Sequence, residues 1–266
     1  MARFNVNFYS YSLDHGVDIT VTVPSFTPCD RQPGVRPTHC PEARYPVLYL
    51  LHGHGNDSQC WLRYTAVERL AEEQRIALVT FNCGNKAYNN MPAGDNYYDF
   101  LNEELPGFVN AMLPISPRRE DTYIAGLSMG GYGTLAHALT NPGRYCAFGA
   151  MSPGLAARAD RVRRETLDPD SPKDMFRRAI EPIYELEARL KEGVTLPRGY
   201  ICCGRQDHLY QRVEDFVTDA RALGADFTWH PVDGYEHEWR YWDLEIANFL
   251  QWIPRTDPYA GHPHKV

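Results

Sequence analysis

The chain has 266 residues, a formal net charge of -7 and 43% apolar residues. It is long enough for one large α/β domain with a sizeable core, and too apolar to be disordered. The acidic balance argues against nucleic acid or an anionic membrane as a partner, because both are bound through basic patches.

No Lys/Arg cluster interleaved with aromatics occurs. The N-terminal stretch has no apolar segment of signal-peptide type, and no run is long enough to span a bilayer, so a soluble cytoplasmic protein is the expectation. There are seven cysteines, an odd number without a C-x-x-C pair, which fits reduced thiols. Cys29 and Cys40 flank one loop and could pair if the protein were secreted.

In chain order, residues 4–11 and 17–23 alternate like strands around Asp14-His15-Gly16, which predicts an antiparallel N-terminal hairpin. Residues 24–46 are rich in Pro, Cys and charge and read as a surface loop. Residues 46–51 form a continuous apolar strand that runs into the glycine-rich turn His52-Gly53-His54-Gly55. A helix is expected over 59–74 with Asp57 or Ser58 as its cap, then a buried strand over 76–81 and a polar loop over 82–95. Helical spacing covers 96–113, with Pro106 kinking it or starting a second segment. A strand is expected over 121–127, a helix over 129–139 and a strand over 145–151.

Residues 155–192 break this rhythm. They are charged and proline-punctuated, and read either as a helical insertion walling the site or as a solvated excursion. Strands over 196–203 and 226–232 and helices over 213–223 and 241–252 complete a single domain over 1–253, and 254–266 read as a frayed tail. Alternating strands and helices imply an α/β fold with a mostly parallel central sheet and helices on both faces. Ligands of such sheets bind beyond the strand C-termini.

The chemistry centres on Gly126-Leu127-Ser128-Met129-Gly130. This G-x-S-x-G run lies between a predicted strand and a predicted helix, the setting of a nucleophile elbow. The turn strains Ser128 and leaves no room for side chains two positions either way, which Gly126 and Gly130 satisfy. A serine hydroxyl is a weak nucleophile at neutral pH and needs a histidine base held by a carboxylate. In hydrolases built on this elbow the chain order is Ser, then acid, then His. Asp207 and His237 follow successive predicted strands in that order. His208 reads as pointing elsewhere and His230 as a strand residue. The oxyanion hole needs two backbone amides, expected at Met129 and at His54 in the turn after the first long strand. His52-x-His54 has no accompanying carboxylate or cysteine cluster, so no metal site is assigned. Trp61, Tyr97 and Trp239 either line the substrate site or pack in the core.

Together, Tyr45-Pro-Val-Leu-Tyr-Leu-Leu-His-Gly, Glu103-Glu-Leu-Pro, Ile124-Ala-Gly-Leu-Ser-Met-Gly-Gly-Tyr-Gly, Gln206-Asp207 and His237-Glu-Trp-Arg-Tyr-Trp242 resemble the tributyrin-esterase group. That group belongs to the esterase D/S-formylglutathione hydrolase-like family of α/β-hydrolases. The resemblance covers nearly the whole chain. It implies the α/β-hydrolase fold and a cofactor-free serine carboxylesterase acting on short acyl esters or acylated sugars. Ser128, Asp207 and His237 match the family triad, and His54 and Met129 match its oxyanion hole. Relatives include acetyl and feruloyl esterases, and the resemblance is compatible with a homo-oligomer. Two departures stand out. The cysteine of the turn after the first strand falls late, at Cys60, which weighs against a glutathione thioester as substrate. The loop from Cys29 to Cys40 is long for the group.

Overall fold

In the computed structural model, which describes residues 1–92, 94–163, 166 and 180–261, the layers follow from side-chain alternation on strands buried on both faces. Along β3 (Val47–Leu51) all five residues are buried. Val47, Tyr49 and Leu51 enter one hydrophobic cluster and Leu48 and Leu50 the other, as the period of two requires.

Eight strands form the central sheet in the order β1-β2-β4-β3-β7-β8-β9-β10. Here β1 is Ala2–Ser10, β2 His15–Val23, β4 Ala77–Phe81, β7 Thr122–Leu127, β8 Ala147–Met151, β9 Arg198–Gly204 and β10 Thr228–Val232. β1 pairs antiparallel with β2, and β2 antiparallel with β4. The remaining neighbours are parallel. The predicted hairpin is therefore present, and it closes one side of the sheet. A separate two-stranded ribbon, β5 (Asn90–Met91) and β6 (Gly94–Asn96), lies in the polar loop after β4.

On the first face, the cluster draws on α4 (Leu105–Met112), α5 (Met129–Thr140), α6 (Pro182–Lys191) and α7 (Tyr210–Ala222). On the other face it draws on α1 (Cys60–Tyr64), α2 (Val67–Glu73) and α8 (Trp239–Trp252). The fold is that of an α/β-hydrolase. The chain order reverses around β3, which lies between β4 and β7, so a crevice opens beyond the C-terminal ends of β3 and β7.

Two local expectations change. The single helix over 59–74 is two helices. The Thr65 hydroxyl turns back onto the Trp61 carbonyl at 2.6 Å, and the Ala66 amide donates to Asp243 Oδ1 at 2.8 Å instead of continuing the ladder. No Asp57 or Ser58 side chain caps it, the N-cap being Gln59, although Asp57 Oδ1 accepts the Gln59 amide at 2.8 Å.

Pro106 stands in the first turn of a second segment, as one of its two readings expects: a short α3 (Tyr97–Asp99) passes through a π-turn at Phe100–Glu104 into α4, and a proline in the first turn costs no intrahelical bond.

The tail is packed over 254–261. Arg255 Nη1 donates to the Gln74 carbonyl at 2.9 Å, and the Tyr259 hydroxyl donates to the Ala43 carbonyl at 2.7 Å. Residues 262–266 of that tail, and most of 164–179 in the insertion, lie outside the described residues. Cys29 and Cys40 are exposed free thiols.

Candidate active site

The elbow is built by close backbone approach. A Cβ on Gly126 would lie 2.4 Å from the Gly130 carbonyl oxygen, and one on Gly130 only 2.3 Å from that of Leu51. Strand and helix can meet this closely only where both side chains are absent. Ser128 is held between them at φ 54°, ψ -116°, a conformation that costs a serine energy and persists because the surroundings demand it. Its amide donates to the Met151 carbonyl at 2.9 Å, and its carbonyl accepts the Gly154 amide at 2.9 Å. β8 thus clamps the turn from the side.

Asp207 lies beyond the end of β9 and His237 beyond the end of β10, on the same sheet edge as Ser128. His237 Nδ1 is 2.8 Å from Asp207 Oδ2, and the Leu209 amide donates to Asp207 Oδ1 at 2.8 Å. Burial pushes the Asp207 pKa up. Hydrogen bonds from the His237 ring, the Leu209 amide and the Ser152 hydroxyl outweigh it and hold the carboxyl below its ordinary value. An ionised Asp207 only accepts, so Nδ1 carries the hydrogen and Nε2 is left as the basic nitrogen.

Ser128 lines a cavity of about 480 Å³ together with His54, Met129, Tyr132, His208 and Leu209. The insertion supplies the opposite wall through Ala156, Asp160, Val162, Ile180, Glu181 and Pro182. The Tyr132 hydroxyl on α5 ties that wall down by donating to the Ile180 carbonyl at 2.8 Å. Met129 is the first residue of α5 and its amide has no intrahelical acceptor. Among the described residues neither that amide nor the His54 amide donates to a backbone carbonyl.

His52 is a structural pin. Its Nδ1 lies 2.8 Å from the Gly53 carbonyl, its Nε2 accepts the Cys83 amide at 3.2 Å, and burial lowers its pKa. With both ring nitrogens used, it cannot join His54 on a metal. Asp207, His208 and His237 do offer metal-ligand atoms within 4.8 Å of one another, although an ion there would compete with the Asp207–His237 hydrogen bond.

For the three aromatic candidates the structure shows the packing alternative. Trp61 is fully buried with its indole N–H on the Leu51 carbonyl at 3.0 Å, in the cluster beneath the other sheet face. Tyr97 is buried against Phe81 and Phe100. Trp239 packs edge-on to Trp61 and Trp242. None of the three lines the cavity. Large rings near the site in sequence instead fill the layers that carry it.

His208 also departs from expectation. It lines the cavity, and its ring centroid is 4.8 Å from that of His237. Sequence reasoning missed Tyr132, Ser152 and Tyr88. Of these, Tyr132 had a signal, since it sits four residues after Ser128 on one helix face.

The chain matches the Esterase family ("Putative esterase") over residues 25–253. It belongs to that family. The protein is thus a carboxylic ester hydrolase with the α/β-hydrolase fold. Across 96% of its length it is 26% identical to an acetyl esterase of Caldicellulosiruptor saccharolyticus, covering 99% of that relative. Among solved structures it resembles FphF, a fluorophosphonate-binding serine hydrolase of Staphylococcus aureus, with a TM-score of 0.79 and 28% identity over 94% of this chain and 97% of that one. It also resembles the S-formylglutathione hydrolase FrmB of Staphylococcus aureus, with a TM-score of 0.77 and 28% identity over 94% and 98% of the two chains. Among the described residues no helix of this esterase is long and apolar enough to cross a membrane.

Proposed function

We propose that this esterase removes short acyl groups, acetyl foremost, through an acyl-enzyme on Ser128. The observation that supports the reading is the strained Ser128 in the wall of a cavity also lined by His208 and Leu209, next in the chain to Asp207, which is hydrogen-bonded to His237. Ser128 Oγ attacks the ester carbonyl carbon while His237 Nε2 takes the hydroxyl proton. The carbonyl oxygen becomes an anion that the His54 and Met129 amides stabilise at the N-terminus of α5. Collapse breaks the bond to the alcohol, and His237 returns the proton to it. Water, deprotonated by His237, then releases the carboxylic acid and restores Ser128. Asp207 keeps the imidazole oriented and stabilises its charged form throughout.

Likeness over nearly the full chain to an acetyl esterase supports the acetyl preference. The insertion that supplies one cavity wall would act as a substrate wall. The family chemistry needs no cofactor, and seven unpaired cysteines suit a reducing, cytoplasmic setting. The test is a panel of p-nitrophenyl acetate, butyrate and octanoate beside methyl ferulate, acetylated xylan and S-formylglutathione. The expected result is a pre-steady-state burst with the acetate and a kcat/KM that falls with chain length. A preference for octanoate, or for the thioester over every oxygen ester, would contradict it.

A further inference from the structure

The wall that the insertion adds to the cavity carries a carboxyl group that the reaction scheme does not use. Glu181 lines the same cavity as Ser128. Its backbone is held from both sides. The preceding Ile180 carbonyl accepts the Tyr132 hydroxyl at 2.8 Å from α5, the helix that begins beside Ser128, and Pro182 follows as the first residue of α6. Glu181 is the N-cap of α6, yet its side chain makes no capping hydrogen bond. Its Oε1 is buried and has no hydrogen-bond partner among the described residues. Burial pushes the Glu181 pKa up, and the charge of Arg161 offsets only part of the rise. Arg161 itself is committed elsewhere, its Nη1 donating to Asp219 on α7 at 2.6 Å.

A buried carboxyl oxygen without a donor is costly, and a ligand that brings a donor removes the cost. The last side-chain torsion of a glutamate is soft, so either oxygen can turn to the cavity. An acetyl group fills only a small part of about 480 Å³, so the alcohol portion of an acetyl ester extends to the insertion wall. Asp160 stands in that wall too, and among the described residues no Lys or Arg lines the cavity. A carboxylate on the alcohol portion would therefore meet like charge without compensation. A hydroxyl or a protonated amine would instead supply the missing donor.

We propose that Glu181 is a specificity-determining residue that reads the alcohol portion of the ester, accepting a hydrogen bond from a donor there and rejecting a carboxylate. This rests on the acyl-enzyme reading given above. Discrimination of this kind is steep, because a substrate that lacks the donor leaves the carboxyl oxygen unpaired in the complex.

The experiment measures acetate release at neutral pH from glycerol monoacetate, from its dimethyl ether, from dimethylaminoethyl acetate and from acetoxybutanoate, with p-nitrophenyl acetate beside them. Wild type is compared with Glu181→Gln and Glu181→Leu. In wild type, kcat/KM for at least one of the two donor-bearing esters is expected to exceed that of the ether about tenfold, the size of one hydrogen bond to a charged group. Whichever of the two gains more identifies the donor as hydroxyl or ammonium. The anionic ester is expected to fall well below the ether. Glu181→Leu should bring the donor ester and the ether to within about twofold of each other. Glu181→Gln keeps an acceptor without the charge, so it should keep part of the donor preference and release much of the block on the anionic ester. Each comparison is a ratio within one variant, so the fraction of folded protein cancels. Equal kcat/KM for the ether and both donor-bearing esters in wild type, or a donor preference unmoved in Glu181→Leu, would overturn the proposal while p-nitrophenyl acetate is still turned over. Turnover of none of the five esters would sink the acyl-enzyme reading and this inference with it.

Discussion

The Tyr88 hydroxyl donates to the His52 carbonyl at 2.9 Å, from a ring that is fully buried. This bond ties the polar loop after β4 to the turn that presents His54. His137, inside α5, donates into the same assembly, from Nε2 to the Tyr88 carbonyl at 2.9 Å. The turn that carries the proposed oxyanion amide of His54 is therefore fixed from outside its own strand. Tyr88→Phe removes the hydroxyl and leaves the His52 carbonyl unpaired. We expect kcat for an aryl acetate to fall about tenfold with KM little changed, since the loss falls on the transition state. A rise in KM at constant kcat would show that the bond serves ground-state binding instead.

Asp207→Asn keeps the shape of the acid but presents an amide to His237, favouring the wrong tautomer. The expected loss in kcat is about 10⁴-fold, with KM little affected. Asp207 is held ionised by its donors, so its contribution is complete above the usual carboxylate range and is lost only as the pH falls through its lowered value.

The elbow glycines have no room for a methyl group. Gly130→Ala would set a Cβ 2.3 Å from the Leu51 carbonyl oxygen, which is backbone and cannot swing aside. Overpacking of this kind costs about 2–3 kcal/mol. Thermal unfolding should show a clearly lowered Tm together with loss of activity. Gly107→Ala, where a Cβ meets nothing within 4 Å, is the matched control and should leave Tm within a degree or two or raise it.

His137 gives the fold a pH dependence. It is fully buried, and desolvation lowers its pKa to about 4. The unfolded chain binds a proton near the ordinary histidine value of about 6.5, before the folded chain does. Stability therefore falls as the pH drops from about 6.5 to about 4, then gains no further dependence from this group once both states are protonated. Urea unfolding at pH 7 and pH 5 should show that loss. In His137→Gln, destabilised at both pH values, the difference between them should shrink.

Much of this architecture was legible because the sheet is buried on both faces. Continuous apolar runs such as Val47–Leu51 and the stretch from Tyr123 to Leu127 are too short to be much else than buried strands. The nucleophile candidate was legible because the Gly126 and Gly130 constraint is local. The acid and base candidates were legible because successive parallel strands deliver their loops to one edge. The cavity wall was legible only as one of two readings of the insertion, because the placement of Ala156, Asp160, Val162 and Ile180 to Pro182 depends on long-range ties such as Tyr132 to Ile180. Ring placement stayed open between two readings for the same reason. Trp61 and Trp239 are close in sequence to the turn and to His237, but their faces are set by α8 packing on α1 and α2. The break at Thr65 and Ala66 depends on Asp243, distant in sequence, and no local pattern announces it.

The central claim is that Ser128 is the nucleophile. Intact-mass and peptide-mapping analysis after treatment with a fluorophosphonate tests it most directly. The account predicts one adduct, on Ser128, with matching loss of aryl acetate hydrolysis, and neither adduct nor turnover in Ser128→Ala. An adduct on another residue, or wild-type turnover by Ser128→Ala, would contradict it.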